Sequence, residues 1–80
     1  MIRIVKKTKL SPEATIDKAV AFFGPKGYGL TVTEQNPTCV KFEGGGGRVE
    51  VTSYADDKRT SVEVVSEEWD TQTKEFLTNI

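Results

Sequence analysis

Four short runs between Leu30 and Val64 place apolar residues on every second position. Leu30 and Val32 alternate with Thr31 and Thr33, and Val40 and Phe42 alternate with Cys39, Lys41 and Glu43. Val49 and Val51 alternate with Arg48, Glu50 and Thr52, and Val62 and Val64 with Ser61 and Glu63. Period two is the repeat of a strand with one buried and one exposed face. The segments between these runs, QNPT, GGGG and ADDK, are rich in turn residues. Four short alternating runs at this spacing predict an antiparallel meander.

The stretch KFEGGGGRVEV sets the register of one hairpin. A four-residue loop at 44–47 brings Phe42 opposite Val49 and Val40 opposite Val51. The same register places Glu43 opposite Arg48 and Lys41 opposite Glu50, so each pair on the polar face carries opposite charges. A phosphate-binding loop requires a helix N-terminus after its glycines, and here a second alternating run follows instead. Treating ADDK as a four-residue loop pairs Val51 with Val62 and Val49 with Val64. It also sets Glu50 across from Glu63, giving a row Lys41-Glu50-Glu63 on the polar face.

The flanks change the repeat. Ile2 and Ile4 begin a short strand, but Lys6 shares their parity, so the strand is expected to end or bulge there. Ser11 is a suitable helix N-cap, Pro12 suits the first helical position and Glu13 favours the dipole. Ile16, Ala19, Val20 and Phe23 then form one helical stripe, ended by Gly24-Pro25. In SEEWDTQTKEFLTNI a second stripe runs through Trp69, Thr73, Phe76, Leu77 and Ile80, with Ser66 as the expected cap and Glu67 and Glu68 in the first turn. The order is β-α-β-β-β-β-α. Two helices with one apolar stripe each and a sheet with one apolar face pack most simply as an α+β two-layer sandwich, both helices on one side. This order of elements resembles the half-repeat of the TATA-binding-protein fold and also small helix-grip domains, and the resemblance implies architecture alone.

Eighty residues predict one domain, 1–80, with little core to spare for a large internal cavity. The formal charge is −1, but residues 1–43 carry seven Lys/Arg against four Asp/Glu and residues 44–80 carry four against eight. Cys39 is the only cysteine, which points to a reducing cytoplasm rather than a disulfide-stapled secreted domain. MIRIVKKTKL has no apolar leader core, and no run approaches the length of a membrane span. The chain has no histidine, which removes the commonest general base and many metal sites.

No residue pattern calls for a catalytic group, a cofactor or a metal. Glu67, Glu68 and Asp70 are read as acids at a helix start. The open face of the sheet is the first candidate surface, with Thr31, Thr33, Cys39, Lys41, Glu50, Thr52, Tyr54, Ser61, Glu63 and Val65. It suits a protein partner or a second copy of the chain. A second candidate is a shallow pocket for a small apolar ligand near Phe23, Trp69 and Phe76. A third is an anion contact at Arg3, Lys7, Lys9 and Lys26. Gly24-Pro25-Lys26-Gly27 resembles the Gly-x-x-Gly loop of KH domains, which would imply a grip on a nucleic-acid backbone. However, this loop follows a helix C-terminus, whose dipole repels phosphate, and leads into a strand. Weak single-stranded nucleic-acid binding through these basic residues is thus the third reading, and the loop's place in the chain argues against nucleic acid as the partner.

Overall fold

The computed structural model describes residues 1–80. Its elements are β1 (Ile2–Thr8), α1 (Pro12–Phe23), β2 (Thr31–Asn36), β3 (Cys39–Gly44), β4 (Gly47–Asp56), β5 (Arg59–Glu67) and α2 (Asp70–Thr78). One antiparallel sheet has the order β1-β5-β4-β3-β2, so the N-terminal strand closes against the last one. Val40, Phe42, Val49, Val51, Val62 and Val64 project to one side and are fully buried with Ile16, Ala19, Phe23, Leu30, Phe76 and Leu77. Both helices lie on that side. The expected α+β two-layer sandwich is the fold.

Local chemistry sets the helix ends. Ser11 Oγ accepts from the Ala14 amide at 3.1 Å, and Pro12 opens α1. Behind α1, the amides of Gly27 and Gly29 donate to the Gly24 carbonyl, while those of Tyr28 and Leu30 donate to Phe22 and Phe23. The GPKG loop thus spends these donors on the helix C-terminus, where unpaired carbonyls need them. Ser53 joins the layers: its hydroxyl donates to the Pro12 carbonyl at 2.9 Å and its amide to Thr38 at 2.8 Å.

The glycine hairpin has the expected register, with Val40↔Val51, Lys41↔Glu50, Phe42↔Val49 and Glu43↔Arg48. Pairing continues to Gly44↔Gly47, so the turn itself is only Gly45-Gly46. Both turn residues have positive φ, 58° and 79°, the geometry of a tight two-residue hairpin. Gly47 is needed for a different reason, because a Cβ there would lie 2.0 Å from the Glu67 carbonyl oxygen.

Three expectations are corrected. The first is the second hairpin, which turns over two residues with Asp57 at φ 59° and Asp56 facing Arg59. The whole register is therefore two residues from the expected one: Val51 faces Val64, Glu50 faces Val65 and Glu63 faces Thr52. A shift of two leaves every side chain on its own face, so alternation cannot reveal it. The observed register gains an Asp56–Arg59 pair and separates two glutamates that would repel. The Lys41-Glu50-Glu63 row is thus absent.

The second correction concerns α2, which begins at Asp70 rather than behind a Ser66 cap. Ser66 and Glu67 remain in the ladder, opposite Val49 and Arg48. Chain direction changes at Glu68, which has φ 68°. Ser66 still steadies the helix start, since its hydroxyl donates to Asp70 Oδ1 at 2.7 Å. The third is Lys6, where β1 neither ends nor bulges and pairs through to Thr8↔Thr60. The Lys6 ammonium donates to the Leu77 carbonyl at the end of α2. A lysine is accepted on the apolar face because its stem packs while its charge meets the negative end of a helix.

Two predictions follow from this chemistry. Lys6→Ala should lower stability by about 1–2 kcal/mol through loss of a charge-assisted bond, seen as a lower urea midpoint. Gly47→Ala should cost about 2–3 kcal/mol because backbone must move. Gly46→Ala, where an added methyl meets no atom, should cost only about 1 kcal/mol for its left-handed φ. Equal losses at Gly46 and Gly47 would contradict the packing account.

Candidate interaction face

The side of the sheet away from the helices has no covering layer. The ladder sets its residues in rows across the strands. One row runs Arg3, Val65, Glu50, Lys41, Glu34 and the next runs Val5, Glu63, Thr52, Cys39, Asn36. Beyond them come Lys7, Ser61 and Tyr54 on one side, and Glu67, Arg48, Glu43 and Thr31 on the other. A bulge lies between Val32 and Glu34, which leaves Thr33 unpaired in the ladder, its hydroxyl donating to the Lys41 carbonyl at 3.3 Å.

Charges on this face are compensated in place. Arg3 meets Glu63 at 2.7 Å and Lys7 meets Asp56 at 3.4 Å. Lys41 lies between Glu34 at 3.6 Å and Glu50 at 3.9 Å. Arg48 lies between Glu50 at 3.6 Å and Glu67 at 3.3 Å. Three of these contacts, Arg3–Glu63, Lys7–Asp56 and Lys41–Glu50, join the basic first half of the sequence to the acidic second half. The charge asymmetry along the chain becomes a checkerboard, because β1 is set beside β5 and β3 pairs with β4. Each exposed pair contributes little to stability. Together they pair all four cations of this face, while Glu43 stays outside any ion pair, so the surface keeps a small negative excess.

Thr31, Thr33 and Tyr54 are exposed, and Cys39, Lys41, Glu50, Thr52, Glu63 and Val65 are half-buried. Ser61 departs from its expected exposure. It is only 3 % accessible, registered between Lys7 and Tyr54, whose long side chains flank it. The sequence reading passed over Val5. It stands on the open side of the edge strand with 56 % of its surface exposed, and Tyr54 has 48 %. The available signal was an apolar residue at the polar parity of Arg3 and Lys7.

The other candidate residues lie elsewhere. Phe23 and Phe76 are core, with ring centroids 5.5 Å apart. Trp69 is half-buried, and its indole N–H donates to the Gly44 carbonyl at 2.9 Å, pinning the start of α2 to the glycine hairpin. Of these three, Phe76 alone lines the apolar groove between α1 and α2, together with Lys18, Ala21, Phe22, Asn79 and Ile80. At about 260 Å³ this groove is smaller than the ~300–1,000 Å³ of ordinary ligand sites. Tyr28 closes the aromatic layer against Phe22 and Trp69 and donates to Glu75 at 3.1 Å. Desolvation, then the Glu75 hydrogen bond and charge, holds its phenol above the ordinary 10.0. Among the basic candidates, Arg3 and Lys7 are paired on the open face, while exposed Lys9 follows β1 and exposed Lys26 lies in the loop behind α1. They do not make one stripe.

No helix is long and apolar enough to cross a membrane. No protein-family model matches the sequence, and no curated protein matches it. Among solved structures the chain is similar to the Aha1 dimer from Colwellia psychrerythraea, known from a solution structure. The TM-score is 0.67 at 18 % identity, over 99 % of this chain and 92 % of that one. At that identity the likeness carries the fold alone, a helix-grip-like arrangement of an antiparallel sheet with its helices on one side.

Proposed function

We propose that this chain is a small non-enzymatic interaction module whose contact surface is the uncovered side of its sheet together with the free edge of β1. The observation that carries the reading is the pairing of a charge-compensated, helix-free face with two exposed apolar side chains, Val5 and Tyr54. Mutually paired charges leave no strong single-sign field to repel a partner, and threonine, tyrosine and valine stand between them. The similar solved structure is a dimer, which supports self-association as the first form of contact to test. Five strands about 4.8 Å apart and roughly 20 Å long give a face on the order of 500 Å². A standard interface buries about 800 Å² per partner. The contact is therefore small, and the association it supports is concentration-dependent.

Light scattering over a concentration series should show the mean mass rising from that of one chain toward that of two. The double variant Val5→Lys/Tyr54→Lys should remain at the mass of one chain, with an unchanged far-UV spectrum. A wild-type chain that stays monomeric at millimolar concentration would remove self-association from this reading.

A further inference from the structure

We propose that the contact is made by a second copy of this chain, joined edge to edge through β1. The two β1 strands would run antiparallel about a two-fold axis at Ile4, forming one continuous sheet from two five-stranded ones. This inference rests on the interaction-module reading and adds its partner, its strand and its register.

The sheet has two outer strands, β1 and β2. Edge β2 is a poor template, because the bulge after Val32 breaks its ladder and Pro37 follows its end. Edge β1 pairs with β5 without interruption from Ile2↔Ser66 to Thr8↔Thr60, so its other side offers an equally regular row of backbone donors and acceptors. Main-chain pairing of this kind is a recurrent mode of recognition.

Charge selects the register. Symmetric antiparallel pairing about residue n places each residue opposite the one equally far beyond n, on the same face. Three centres engage five or more residues of β1: Ile4, Val5 and Lys6. Centring on Val5 sets Arg3 against Lys7 of the other copy, twice. Centring on Lys6 sets two Lys6 side chains face to face. Centring on Ile4 opposes Ile4 to Ile4, Ile2 to Lys6, Arg3 to Val5 and Lys7 to Met1, with no cationic side chain directly opposite another.

The side-chain geometry fits that choice. Arg3 is already held by Glu63 at 2.7 Å, so its methylenes are available to cover the exposed Val5 of the other copy. The Lys6 ammonium is engaged with the Leu77 carbonyl, so the stem rather than the charge meets Ile2. The basic edge therefore rejects other alignments of itself while one remains open.

The test uses the full chain with Cys39→Ser, so that no native thiol competes. Arg3→Cys and Val5→Cys are made separately and oxidised alone and as a mixture. Residues opposite each other in an antiparallel pair have Cβ atoms about 4.5–5.5 Å apart, close to disulfide range. The mixture should form a disulfide-linked pair at least tenfold faster than either variant alone. Val5→Lys, which places a cation opposite Arg3, should raise the dimer dissociation constant about tenfold, and Tyr54→Lys should leave it within twofold. Fastest linking in Val5→Cys alone would move the centre to Val5 and overturn the register. A dimer that Tyr54→Lys disrupts and Val5→Lys does not, with no linking in any mixture, would overturn the edge contact and leave the interaction module standing through its face. A monomer at every concentration would overturn the pairing and self-association together.

Discussion

Val40 and Phe42 on β3, Val49 and Val51 on β4, and Val62 and Val64 on β5 reach the same side of the sheet because the three strands pair with one parity. Much of the rest of the structure depends on that alignment. It produces the apolar floor on which Ile16, Ala19 and Phe23 of α1 and Phe76 and Leu77 of α2 are buried. Both helices lie on that one side. The opposite side has no covering layer, and its alternating polar residues suit it to exposure.

A sheet covered on one side must manage charge in the plane. Here each basic residue registered on the open side of β1, β3 or β4 has an acidic partner on another strand: Glu63 for Arg3, Asp56 for Lys7 across β5, Glu34 and Glu50 for Lys41, Glu67 for Arg48. Such pairs add little to stability in water. Their consequence is that the face carries no strong field of either sign, so a second such surface can approach it without severe repulsion. Val5 and Tyr54 are the exposed apolar side chains on this face.

The ends of the secondary structure are held by contacts between residues far apart in sequence. Lys6 of the first strand meets the carbonyl of Leu77 near the end of α2, and Trp69 at the start of that helix meets Gly44 of the hairpin. Helix α2 has nine residues and no side-chain N-cap bond, so by itself it would be marginal. It is fastened at both ends by the sheet. Lys6 and the absence of a Ser66 cap both defeated local reading for this reason: each residue's role is set by a partner that lies far along the chain or by a ladder that was already using its backbone.

The element order, the α+β class, the faces of β3, β4 and β5 and the first hairpin's register were all legible in the sequence, whereas the bulge after Val32 reverses the faces of β2. They depend on short-range signals: a repeat of two or 3.6, a cap, and four glycines between matched pairs. Of the candidate face, the membership of Thr31, Thr33, Lys41, Glu50, Thr52 and Tyr54 followed from parity alone. Which residues face one another across β4 and β5 did not, because parity is blind to a shift of two and one left-handed aspartate chose the shorter turn. Nor did the burial of Ser61 or the exposure of Val5. Those depend on how neighbouring strands cover each position, and β1 finds its neighbour only when β5, some sixty residues later, is set beside it. Local periodicity determined which side of the sheet the residues of the unbulged strands would occupy, and only long-range strand pairing decided what stood next to them.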